Sequence, residues 1–160
     1  EHKLSITQSY ELYDKACEDL NIWAKARLKA SAGTAKRPEF TPDLINDYMA
    51  TVKCSPVVIV DDAERTILKP MTPQGFTLEE GMQKNMIAFI LHVRRLETLQ
   101  QGLRFQDVKR YGIEFSHNLD GEEALVFKPG DLRGALQLPI DVIDAGLPAN
   151  PRETETDTKE

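Results

Sequence analysis

At 160 residues, 41% hydrophobic and 29% charged, the chain has the composition of a soluble globular protein and enough length to build a core without disulfide or metal staples. The natural expectation is one domain over residues 1–146, followed by a polar tail over 147–160. A formal net charge of −6 weighs against generic, charge-driven binding to nucleic acid or an anionic membrane, because such binding rests on phosphates neutralised by Lys and Arg. It leaves room for a local basic patch.

The two cysteines, Cys17 and Cys54, lie far apart, and with three histidines they make no zinc-ligand spacing. No cofactor is expected, and a reducing, cytoplasmic setting is the default for such cysteine usage. No apolar run approaches the roughly 18 residues that span a bilayer, and no signal peptide is visible. The chain begins at Glu1 rather than methionine, which leaves room for a removed leader or a longer parent.

In chain order, Ser9 to about Ala30 reads as a helix, with Leu12, Ala16, Leu20 and Trp23 on one face. Small residues and Gly33 end it. Thr41-Pro42 opens a second helix: Thr41 suits the N-cap and Pro42 the first helical position, where its missing N–H costs nothing. Leu44, Ile45, Tyr48, Met49 and Val52 form its apolar stripe. Val57 to Val60 is β-branched and reads as a strand buried on both faces, returning through Asp61-Asp62 into Arg65–Leu68 as a hairpin.

The longest element is Thr77 to about Gln101, with Thr77 as N-cap and Glu80 closing a capping box. Gly102 or Gly112 ends it, with space for a short helix between them. Ile113 to Pro129 reads as a second hairpin turning at Asp120-Gly121. Residues 132–143, interrupted by Gly134 and Pro139, predict short pieces. From Leu147 the chain is rich in Glu, Asp and Thr, the composition of a disordered acidic tail. Together these elements predict an α+β fold, with an antiparallel sheet of two hairpins packed on the long central helix and the N-terminal helices beside it.

Candidate chemistry is sparse. An apolar run ending in Asp61 and Asp62 can hold Mg²⁺ beside a phosphoryl group, but no phosphate-binding glycine loop accompanies it, and a turn in which both acids bond backbone N–H groups is the better explanation. His92 and His117 lack a nucleophile motif. Lys25, Arg27, Lys29, Lys36 and Arg37 cluster at the end of the first helix, where cations complement the helix dipole or contact an anion such as nucleic acid. A second basic stretch runs through Arg94, Arg95, Arg104, Lys109 and Arg110, interleaved with Phe105 and Tyr111.

At about 100° per residue, Leu78, Met82, Met86, Phe89, Val93 and Leu96 share one stripe of the long helix. Ile87 and Leu91 lie on the other side. Either the helix is covered on both sides, or these two residues belong to a surface that meets another chain. Ile87, Leu91, Arg94 and Arg95 are therefore the candidate partner-binding residues. The expectation is a non-enzymatic protein-interaction module (an adaptor, assembly factor or regulatory subunit) that joins a protein partner or its own copies. A nucleic-acid-binding module using either basic cluster is the second reading, and Mg²⁺-dependent phosphoryl transfer at Asp61 and Asp62 the third.

Overall fold

The computed structural model describes residues 6–27, 39–60, 64–118, 120 and 122–151. The chain is α+β: five helices and one two-stranded antiparallel sheet among those residues. Contacts gather it into two compact units. Among the described residues, the first draws on 6–27, 39–54, 66–68 and 78–97, and the second on 55–60, 64–65, 69–77 and 98–151.

The first unit is built from α1 (Ile6–Arg27), α2 (Pro42–Thr51) and α3 (Met82–Glu97). On α1 the buried residues are Cys17, Leu20 and Ala24, with Tyr13 half-buried, so the inward face runs at steps of four, three and four. The expected face through Leu12 is displaced by one residue, and Leu12 itself is exposed. Small residues hold positions 17 and 24 of the inward face, a cue that side-chain hydrophobicity alone does not weigh.

α2 begins as its sequence dictates. Thr41 accepts a hydrogen bond from the Leu44 N–H (3.2 Å), Pro42 occupies the first turn, and Pro42, Ile45 and Met49 are buried. Ile45, Met49 and Met86 are each 1% exposed. Burying side chains of this size stabilises the unit by about 1.5–3 kcal/mol each. α2 packs chiefly on α3. The half-buried amide of Asn85 adds a hydrogen bond to Asn46 Oδ1 (2.9 Å).

α3 is shorter than its sequence pattern. Gly81 takes φ +88, outside the helical region, so the helix starts at Met82 and the Thr77–Glu80 capping box does not form. Instead Gln83 Oε1 accepts from the Glu79 N–H (2.7 Å) and Glu80 pairs with Lys84 (2.7 Å). Buried Met86 lies on one side of the helix, and buried Ala88 and Leu91 lie on the other. At the C-terminal end, Glu97 receives the Trp23 indole N–H (2.9 Å) and the Arg27 guanidinium (2.5 Å), tying α1 to α3.

The second unit holds α4 (Arg104–Tyr111), β1 (Phe115–His117), β2 (Leu125–Phe127), a 3-10 turn (Leu132–Gly134) and α5 (Ile140–Asp144). The strands pair Phe115 with Phe127, Ser116 with Val126 and His117 with Leu125. The rings of Phe115 and Phe127 stack with centroids 5.2 Å apart. Gly112 ends α4 in the left-handed region, and its carbonyl accepts from the Thr72 N–H (3.0 Å), beside an antiparallel bridge from Met71 to Ile113.

The other expected hairpin is not formed, so the sheet has two strands. Among the described residues, neither 57–60 nor 64–68 is a strand. Val57 to Val60 alternates between half-buried and exposed positions, with Val60 69% exposed, so it is not covered on both faces. It is held by side chains rather than by a backbone ladder: Ser116 Oγ donates to the Val57 carbonyl (2.7 Å), and the Asn118 amide donates to that of Ile59. Its expected partner supplies Thr66–Leu68 to the first unit.

The chain is also bonded beyond Leu147. Gln137 accepts from the Asn150 N–H (2.8 Å) and donates to its carbonyl (3.0 Å). Of the expected tail, residues 152–160 lie outside the described residues.

Candidate functional site

α2 carries two parallel rows of apolar residues. Ile45 and Met49 point into the core. Leu44 and Tyr48, also four residues apart, remain 43% and 51% exposed. That second row forms one wall of a groove of about 370 Å³ in the first unit, lined by Phe40, Leu44, Ile45, Tyr48, Ile67, Phe89 and His92. The size falls near the lower end of ligand-binding clefts, roughly 300–1,000 Å³.

Three anchors shape the groove. At one end, Asn21 of α1 grips the backbone of Phe40: Phe40 N–H donates to Asn21 Oδ1 (2.8 Å), and the Asn21 amide donates to the Phe40 carbonyl (2.9 Å). The Phe40 ring then meets Phe89 of α3 edge-on, with centroids 5.4 Å apart. Ile67 is positioned by its neighbour Thr66, whose hydroxyl donates to the Lys53 carbonyl (2.5 Å). On α3, Phe89 and His92 stand three residues apart on one face, and the Nδ1 edge of His92 is closed to solvent. The site offers apolar surface and ring edges. That arrangement suits the docking of apolar side chains.

The expected partner-binding residues fall differently. Leu91 is 6% exposed, so it is part of the packed interior and not of an open patch; Ile87 is half-buried. The helix is covered at Leu91 and partly covered at Ile87. Arg94 and Arg95 are exposed in the last turns of α3. The groove residues Leu44 and Tyr48 read in the sequence only as part of the apolar stripe of α2. The cue for them was the breadth of the α2 stripe, two i,i+4 rows where one buried face needs only one.

Of the first basic cluster, Arg27 is paired with Glu97 and Lys25 is exposed, while Lys29, Lys36 and Arg37 lie outside the described residues. In the second cluster, Lys109 donates to the Gly134 carbonyl (2.9 Å) and the Arg110 guanidinium lies 5.9 Å from the Tyr111 ring centroid. Asp61 and Asp62 also lie outside the described residues. Among the described residues, no group of three or more His, Cys, Asp or Glu side chains is placed to hold a metal ion.

A smaller cleft of about 310 Å³ in the second unit is lined in part by Gln74, Lys109, Phe127 and Asp131. Its charged groups are engaged by the fold: Lys109 as above, and Asp131 by Arg133 (2.5 Å), which also donates to the Val126 carbonyl (2.6 Å). The bond from Arg133 is the main cause that holds the Asp131 carboxyl below its usual range.

The class that the fold defines is α+β. No family model matches the chain, and comparison with curated proteins and with solved structures returned no match. Among the described residues, no helix is long and apolar enough to cross a membrane.

Proposed function

We propose that the chain is a non-enzymatic protein-interaction module, an adaptor, assembly factor or regulatory subunit, that docks a protein through the groove between α2 and α3. One observation carries this reading: Leu44 and Tyr48 stand exposed as the wall of an apolar groove whose other residues are anchored by hydrogen bonds and ring contacts. Apolar surface grouped in a shaped groove gains free energy when a partner covers it, and a pre-formed groove loses little conformational freedom on binding. Arg94 and Arg95, exposed on α3, are proposed as contacts outside the groove. A reducing, cytoplasmic setting fits Cys17 and Cys54, which do not form a disulfide.

The test compares the full chain with Leu44→Glu by quantitative affinity purification and light scattering. The reading predicts a partner, or self-association, that the variant loses while its melting curve is retained. A monomer whose co-purifying proteins are the same with and without Leu44→Glu overturns it.

A further inference from the structure

Among the described residues, the α2 side of the groove is flanked by negative charge. From Glu39 to Thr51 the chain carries Glu39, Asp43 and Asp47, all exposed, and no Lys or Arg. Among the described residues none of the three carboxylates takes an ion pair or a hydrogen bond from a side chain. Asp43 lies in the first turn of α2, where the helix dipole favours an acid. Asp47 lies in the middle of the helix and gains nothing from that dipole. It stands four residues from Asp43, a like-charged spacing that weakens the helix. By helix geometry both lie on the outer flank of the Leu44–Tyr48 row. On α3 the basic residues lie outside the groove lining: Lys84 is paired with Glu80, Arg94 and Arg95 are exposed near the helix end, and the helix's one acid, Glu97, is occupied by Trp23 and Arg27.

From this acidic flank we infer the chemistry of the occupant: an amphipathic helix of another protein, apolar on the face that enters the groove and bearing Lys or Arg on the flank that meets α2. The inference rests on the docking reading above. A groove between two helices takes a third helix by anchors at i, i+3 or i+4 and i+7. A basic flank relieves the Asp43–Asp47 repulsion on binding, and an acidic ligand such as a fatty acid meets the same carboxylates unfavourably.

The test is selection of helical peptides from a randomised phage-displayed library on the full chain, with counter-selection on Leu44→Glu. The expected consensus has apolar residues at helical spacing and Lys or Arg along one flank. A synthetic peptide of that consensus weakens by about tenfold on Asp43→Lys/Asp47→Lys, the loss of two rim pairs. It weakens further as salt rises. A consensus without basic residues, insensitive to Asp43→Lys/Asp47→Lys but lost with Leu44→Glu, overturns the charge inference and leaves the docking groove standing. Selected peptides that bind Leu44→Glu as well as the parent chain overturn the groove itself. A dimer in light scattering that Leu44→Glu converts to monomer replaces the foreign helix with a second copy of the chain.

Discussion

Asn21 and Phe40, nineteen residues apart, are joined by two hydrogen bonds that run in opposite directions between one side-chain amide and one backbone unit. The amide of Asn21 thus does for Phe40 what a neighbouring strand would do. Both bonds are partly buried, so truncating Asn21 leaves a donor and an acceptor short of partners. Asn21→Ala is expected to cost about 1–3 kcal/mol in denaturant unfolding. Asn21→Asp should retain the bond from the Phe40 N–H but set a carboxylate against the Phe40 carbonyl, and so should recover little of the loss. Equal stability of Asn21→Asp and the parent chain would contradict the geometry.

Gly112 and Gly81 both hold positive φ, but their surroundings differ. A Cβ at Gly112 overlaps the Thr72 carbonyl, whereas one at Gly81 meets nothing within 4 Å. Gly81→Ala should cost about 1 kcal/mol, the strain of the left-handed backbone alone. Gly112→Ala should cost clearly more, because the chain from Met71 to Thr72 must move away from Ile113. Thermal unfolding of the two variants side by side checks the order.

Cys17 is 4% exposed, and burial, with the Asp14 charge second, pushes its thiol up. Cys54 is exposed. Titration with a chromogenic disulfide reagent should therefore show one fast thiol and one that reacts only in denaturant, with the fast phase absent in Cys54→Ser. Two fast thiols in the native chain would place Cys17 outside the core.

The depressed carboxyl of Asp131 makes the turn around Arg133 sensitive to acid. A folded-state value below the unfolded one gives stability that is complete above the ordinary carboxylate range, near 3.9, and is lost as pH falls through the depressed value. Asp131→Asn should be less stable than the parent chain at neutral pH, and the gap should close in acid. A gap that does not change with pH would remove the Arg133 bond as its cause.

Local chemistry made α2 legible in the sequence: Thr41 caps, Pro42 fits the first turn, and Ile45 and Met49 are buried. The face of α1 was harder to read, because Cys17 and Ala24 hold the inner positions while the larger Leu12 stays outside. The start of α3 turned on one backbone angle at Gly81, which a strong capping-box pattern upstream obscured. Val57 to Val60 has the composition of a buried strand but is met by the side chains of Ser116 and Asn118 and not by a backbone ladder. The groove was legible only in the breadth of the α2 stripe through Leu44 and Tyr48. Its lining comes from three separate stretches, 40–48, 67 and 89–92, and only tertiary packing brings them together.

The most direct measurement of the docking claim is photo-crosslinking from inside the groove, with a benzophenone amino acid in place of Tyr48 in the full chain and, as control, in place of the exposed Leu136. The account predicts a discrete protein adduct from position 48, absent from position 136 and lost when Leu44→Glu is added. Adducts from position 48 that match those from position 136 and persist with Leu44→Glu would contradict it.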